Sequence, residues 1–348
     1  MAANQQVTRL QFLRRLRKLA KSALYAYGFQ DAKLKFINYS GNGLYRVDIP
    51  TSLKSDEPFV PGRYTLRLHQ PGYMSFEHIT SELEWLSALS SEGIEVPQPI
   101  RNLDGHWVTA TEEENASLRP RNCTLLRWIN GRNITKGITP IHFKAIGRTL
   151  AAMHKQAQTW KPPRRFTRRH WDWEGLYGDG AGFDPPAQKV RETIPKQHQP
   201  DFVRIIERIQ DLIDEIGKGR KVYGLIHADI ALDANVLFHK GRARPIDFDD
   251  SGYGYWAFDI AVPLAHYISD FKDTSPRMKK ALLEGYEEIQ AFPESQLEYI
   301  ELFIAARYAQ EMVWAQAGAL HYPGSADQSN EWLNRAATDL KRHLKTLE

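Results

Sequence analysis

The feature that most constrains this chain is a change of hydrophobic period near Gly131. Ahead of it, apolar residues alternate in short runs; beyond it, they recur three and four apart over long stretches. LKFINYS (34–40), GLYRVDI (43–49) and RYTLRLH (63–69) read as strands punctuated by glycine and proline. Residues 80–92 carry Leu83, Leu86 and Leu89 on one face and read as a helix stopped at Gly93, with Pro97 and Pro99 beyond. The run 99–111 predicts a hairpin turning at Asp104-Gly105, and CTLLRWI (123–129) a further strand. After Gly131, helical spacing covers 142–157, 200–219, 276–291 and 296–320, and a compact β-like block occupies 222–248. Residues 158–187, rich in Pro, Gly, Arg and aromatics, read as an irregular connection. The pattern predicts an α+β chain in three parts. A basic segment (1–30) precedes a small antiparallel-sheet N-lobe with one helix (31–131) and a larger, mainly helical C-lobe (132–348).

Composition narrows the function classes. Over 348 residues the chain is 25% charged and 42% hydrophobic, ordinary values for a globular protein. A net charge of +4 gives no reason to expect a nucleic-acid partner. The single Cys123 can form neither an internal disulfide nor a zinc cluster, so a reducing, cytoplasmic setting is the expectation. No run of 18 apolar residues occurs, so no membrane span is expected; oligomeric state is left open. The first 30 residues contain no acid, yet hold Arg9, Arg14, Arg15, Arg17, Lys18 and Lys21 between Leu10, Phe12, Leu13, Leu16, Leu19 and Leu24. A docked amphipathic helix with a solvated basic face, a mitochondrial-type presequence, and a polyanion- or membrane-surface helix all fit that pattern.

The chemistry concentrates in 222–250. His227-Ala-Asp229 is followed by Asn235, then by Ile246-Asp247-Phe248-Asp249-Asp250. Short apolar strands around a turn bring these oxygen donors together. Phosphoryl transfer needs such a set: one carboxylate to accept the proton of the incoming hydroxyl, and an amide oxygen with a second carboxylate to hold Mg²⁺ across the nucleotide phosphates. No Walker-type phosphate loop and no zinc-hydrolase helix motif competes with it.

These blocks resemble the aminoglycoside phosphotransferase and choline kinase superfamily, nearest in character to the stress-response and homoserine-type kinases. The resemblance extends over roughly residues 34–320: Arg63-Tyr-Thr-Leu-Arg67, Ser81-Glu82-Leu-Glu-Trp-Leu86, Leu125 to Gly131 and Gly147 to His154 match further family segments. It implies a bilobal protein-kinase-like fold and an ATP- and Mg²⁺-dependent kinase acting on a small-molecule hydroxyl. Carried over by residue, Asp229 is the catalytic base, and Asn235 and Asp247 are the metal ligands. Arg67 contacts the nucleotide phosphates and Glu82 holds it. Gly41 and Gly43 form the loop over the phosphates, and Leu126 to Trp128 line the adenine site. Two departures stand out. Five residues, not four, separate Asp229 from Asn235, which makes Asp233 a reserve ligand, and the strand cation is Arg67 instead of Lys.

Structural readings stand beside these. His227 and Asp259 fit bracing of the catalytic loop better than chemistry. Tyr253, Tyr255 and Trp256 could stack on a substrate or pack a core. Arg164, Arg165, Arg168 and Arg169 with Trp171 and Trp173 have an anion-binding composition, with a solvated loop as the plainer expectation. Cys123 is expected to be an inert packed thiol. Two alternative functions remain at this level: a protein Ser/Thr kinase of the stress-response type, and a catalytically silent nucleotide-binding scaffold. Against the first, only 11 residues separate Asp247 from Asp259, too few for a peptide-docking activation segment. An aminoglycoside acceptor would need acids such as Glu298, Glu301 and Glu311 to converge beside Asp229.

Overall fold

The computed structural model describes residues 8–54, 56–111, 120–271, 276–321 and 326–348. The chain divides into two compact units. Unit 1 comprises residues up to Asn130 together with Pro162–Thr167; unit 2 comprises Gly131–Lys161 and Arg168–Glu348.

Unit 1 begins with α1 (Arg9–Tyr25), opened by a capping box between Thr8 and Gln11. Strands β1 (Lys33–Ser40), β2 (Asn42–Asp48) and β3 (Phe59–Leu68) follow, then α2 (Phe76–Ser91), β4 (Pro99–Ile100), β5 (Thr109–Thr111) and β6 (Arg121–Ile129). The sheet is antiparallel in the order β1-β2-β3-β6-β4, with β5 also on β6. One face of it packs on α1: Leu16, Leu19, Ala20, Ala23 and Leu24 join Leu34, Tyr45, Val47, Leu66, Leu68 and Leu125 in one buried cluster. Arg9, Arg14, Arg17, Lys18 and Lys21 remain exposed, so the basic segment is a docked helix with a wet face. The expected 99–111 hairpin does not form. Its two arms, β4 and β5, each pair with β6 and not with one another; the Asn102–His106 turn between them closes on itself and on Ala26, whose carbonyl accepts the Leu103 N–H.

Unit 2 carries α3 (Pro140–Thr159), β7 (His170–Trp171), α4 (Trp173–Tyr177), α5 (Ala187–Glu192) and α6 (Gln199–Ile216). Next come β8 (Tyr223–Ile226), the hairpin β9 (Val236–His239) with β10 (Arg242–Pro245), and β11 (Gly252–Tyr255). The helices α7 (Trp256–Phe271), α8 (Pro276–Glu287), α9 (Glu294–Leu297), α10 (Ile300–His321) and α11 (Ala326–Leu344) complete it. β11 joins β8 antiparallel and β7 parallel. The apolar α7, with Pro263 inside it, is buried on every side from Trp256 to Ala265. Pro263 stands where a helix would be expected to break, and sequence reading does not mark it. α3 and α8 approach backbone to backbone: a Cβ on Gly147 would strike the Leu282 carbonyl, and one on Gly285 the Lys144 carbonyl.

Candidate active site

In unit 2 the strand β8 ends at Ile226 and delivers His227-Ala-Asp229 into a tight turn. Ala228 sits at φ +66°, the left-handed region that an L residue occupies only under constraint. The constraint is Asp259 on α7. Its Oδ1 accepts the Ala228 N–H at 2.8 Å and its Oδ2 the His227 N–H at 3.1 Å. The same Oδ2 lies 2.9 Å from Nε2 of His154 on α3, whose Nδ1 is 3.0 Å from the Tyr286 hydroxyl on α8. His154 and Asp259 are fully buried, so three helices fix one backbone kink. His227 is buried as well, with Nε2 3.1 Å from the Ile246 carbonyl; burial lowers its pKa and favours the neutral ring. It ties the Asp229 loop to the Asp247 loop.

Asp229 projects between two donors. Asn235 Nδ2 donates to its Oδ2 at 2.7 Å and to its backbone carbonyl at 2.9 Å. Arg307 Nη2 donates to its Oδ1 at 2.6 Å. Burial pushes the carboxyl up, but the Arg307 guanidinium outweighs it and holds Asp229 below the usual carboxylate range. The extra residue before Asn235 is absorbed locally. Ala234 and Asn235 both donate their N–H to the Ala231 carbonyl, which rolls 231–235 into a turn and returns Asn235 to Asp229. Asp233 sits at the exposed tip of that turn. The Ile246 N–H donates to the Asn235 carbonyl at 2.9 Å, which sets Asn235 beside the residue preceding Asp247. Asp247 is at φ +63°, so the chain reverses sharply there.

That reversal is clamped by a residue with no motif to announce it. Arg168 is only 4% exposed, and it donates to the carbonyls of Phe248 (3.0 Å), Asp249 (2.5 Å) and Ser251 (2.6 Å). Trp171 Nε1 adds a bond to the Asp250 carbonyl at 2.7 Å. The solvated-loop expectation therefore holds for Arg164 and Arg165, which are exposed, and fails for Arg168 and Trp171. Tyr255 and Trp256 are core residues, while Tyr253 stays half-buried, its ring centroid 5.0 Å from that of His170.

In unit 1, Arg67 on β3 and Glu82 on α2 form a buried pair at 3.0 Å. Gly41 closes the β1–β2 hairpin at φ +90°, a conformation open to glycine, where its carbonyl accepts from Arg121 at 3.4 Å. Gly43 lies within β2 opposite Leu68, and a side chain there would run into Leu16 of α1. Leu126 is buried in β6 opposite Thr65, and Trp128, two residues on, has the Arg63 guanidinium 5.8 Å from its ring centroid.

Comparison with known proteins agrees with this architecture. The phosphotransferase enzyme family (APH) profile matches residues 56–297, most of the chain. The chain belongs to that family. It is 26% identical over 250 residues to the amicoumacin kinase of Bacillus subtilis (strain 168), covering 70% of this chain and 65% of the relative. The chain thus spans slightly under two thirds of that relative's length. Among solved structures, the microcompartment-associated aminopropanol kinase superposes with a TM-score of 0.75 at 26% identity, covering 95% of this chain and 98% of the other. The amicoumacin kinase hAmiN in complex with AMP-PNP, Ca²⁺ and Ami gives a TM-score of 0.73 at 21% identity, covering 96% of each. The protein is thus a member of the phosphotransferase enzyme family with an α+β, protein-kinase-like fold.

Proposed function

We propose that this protein is an ATP- and Mg²⁺-dependent kinase that transfers the γ-phosphoryl group to a hydroxyl of a small molecule. The observation that carries this reading is the convergence on Asp229: an ionised carboxylate with one oxygen pinned by Asn235 and the other turned toward Arg307. Asp229 orients the acceptor hydroxyl and takes its proton, a contribution of roughly 10²–10⁴ in rate for a well-placed base. Asn235 holds the carboxylate's rotamer, which supports in-line attack, since catalysis of this kind rests on position and charge.

The donors suit a magnesium ion. The Asn235 NH₂ group is spent on two acceptors of Asp229, so its amide oxygen faces the other way. That oxygen and the Asp247 carboxylate are hard donors, and Mg²⁺ needs only one or two such protein ligands beside phosphate and water. Bound Mg²⁺ neutralises charge across the transferring phosphates. Asp233, at the exposed tip, is dispensable in this reading. Arg67, kept in place by Glu82, contacts the nucleotide phosphates. Gly41 and Gly43 belong to the covering hairpin, and Leu126 to Trp128 to the adenine site.

A peptide acceptor is not favoured. Between Asp247 and Asp259 the chain is fully used by the Arg168-clamped turn, β11 and the first turn of α7. The catalytically silent alternative loses its support too, because the 231–235 turn restores Asn235 to Asp229. The test is nucleotide consumption with Mg²⁺ against hydroxylated metabolites, aminoglycosides and generic proteins, with Asp229→Asn alongside. Acceptor-dependent turnover lost in Asp229→Asn is expected; equal turnover by the variant refutes the reading.

A further inference from the structure

Helix α1 spends one side of its circumference on the sheet. Leu16, Leu19, Ala20, Ala23 and Leu24 enter the buried cluster, and the opposite side is left to solvent. That outer side is more than a polar face. Leu10, Arg14, Arg17, Lys18, Lys21 and Tyr25 follow one another at spacings of three and four, so they form one stripe along the helix. All six are exposed, Leu10 at 59% and Tyr25 at 67%, so an apolar residue stands at each end of four cations. Residues 1–30 contain no Asp or Glu to pair with them.

The surroundings extend the same chemistry. The Leu103 N–H donates to the Ala26 carbonyl at 2.8 Å, which seats the tip of the Asn102–His106 turn at the end of α1. Asn102 Oδ1 accepts the Asp104 and His106 N–H groups, so the turn is braced from within while Leu103 stands 75% exposed. Arg17 Nη1 donates to the Leu34 carbonyl at 2.9 Å and ties the stripe to β1, an edge strand of the sheet. Phe36, two residues on and on the same face of that strand, is also exposed.

A convex helix carrying cations over about 25 Å matches an extended anionic surface better than a single small anion. Nucleic acid and lipid both offer such a surface, and the apolar residues decide between them. Single strands are gripped by aromatic rings that stack on bases, which Leu10 and Leu103 cannot do. At a bilayer, Lys and Arg meet anionic headgroups while Leu and Tyr side chains enter the boundary with the acyl chains.

We propose that the outer face of α1 is a peripheral membrane-docking surface that holds this protein on bilayers rich in anionic phospholipid. Arg14, Arg17, Lys18 and Lys21 supply the attraction, and Leu10, Tyr25 and Leu103 the shallow anchor. Unit 1 alone builds this face, and docking uses no residue of the phosphoryl-transfer site.

The test sediments the full chain with vesicles of phosphatidylcholine alone, or of phosphatidylcholine with an equal part of phosphatidylglycerol, at low and at high salt. Binding is expected to the anionic vesicles only, and it should weaken steeply with salt. The double variant Arg14→Gln, Lys18→Gln should lower the partition coefficient by about fivefold for each cation removed. Arg277→Gln with Lys280→Gln, at two exposed positions of α8, changes the net charge equally and should leave binding unaltered. Leu103→Ser should cost roughly three- to tenfold, most visibly at high salt. Every substituted position is exposed, and the Tm of each variant reports on its fold. Equal binding to neutral vesicles or binding to neither kind overturns the inference. So does unchanged binding of the Arg14, Lys18 or the Leu103 variant, an equal loss in the α8 control, or tighter binding to an oligonucleotide than to the anionic vesicles.

Discussion

Asp229 is gripped from two sides, by Asn235 six residues along the chain and by Arg307 seventy-eight residues away. A carboxylate held this way keeps its charge and its rotamer, as the proposed role of base toward a hydroxyl acceptor requires. Asp229→Asn should lower phosphoryl transfer by roughly 10³-fold while the Kd for Mg·ATP stays within a few-fold of wild type, as read by steady-state kinetics and calorimetry. Asp247→Ala acts differently, since it removes a hard oxygen donor. Nucleotide affinity should then lose its dependence on Mg²⁺, seen as superimposable titrations with and without the metal. Cys123 provides a contrast. Burial pushes its thiol up to about 12, and Thr111 Oγ1 lies 3.4 Å from its sulfur. A thiolate reagent at pH 8 should leave the native protein unlabelled and modify one thiol per chain once guanidinium unfolds it.

At the scale of elements, the loops of the candidate site are shaped by partners remote in sequence. The left-handed Ala228 is affordable because Asp259 takes two successive backbone N–H groups, and Arg168 similarly holds the turn after Asp247. The spacing of His227, Asp229, Asn235 and Asp247 was legible because those residues lie on one short β-like stretch. Arg168 and Arg307 were not, since an isolated arginine on a loop or helix looks the same whether it is solvated or clamped. α7 was missed for a different reason: Pro263 in its middle reads as a helix breaker. The 99–111 segment misled because Asp104-Gly105 is a good turn, yet β6 offers both arms a better partner than each other. The α3–α8 contact makes a prediction with an unusual sign. Glycine inside a helix normally costs about 1 kcal/mol relative to alanine. Gly147→Ala should nevertheless destabilise, by roughly 1–3 kcal/mol in a urea titration, because the new Cβ meets the Leu282 carbonyl.

At the scale of the molecule, the two units carry different parts of the proposed chemistry. Arg67 and Glu82 belong to unit 1; Asp229, Asn235, Asp247 and Arg307 belong to unit 2. A nucleotide bound with its metal adds stability in proportion to its occupancy. Mg·ATP should therefore raise the Tm, and chelation with EDTA should abolish both that rise and acceptor turnover; a rise undiminished by EDTA would count against a metal-assisted site. Periodicity alone determined the division into a sheet-bearing half and a helical half, because alternation and the 3.6-residue repeat are local properties of the chain. Spacing marked the His227 to Asp247 block for the same reason. The tertiary structure decided what local patterns cannot encode. It chose which strand β4 and β5 would join, which arginine would be buried against a backbone turn, and that the cation meeting Asp229 would come from α10. Those outcomes depend on contacts between residues tens of positions apart, and each is fixed only when the helices and strands carrying them pack.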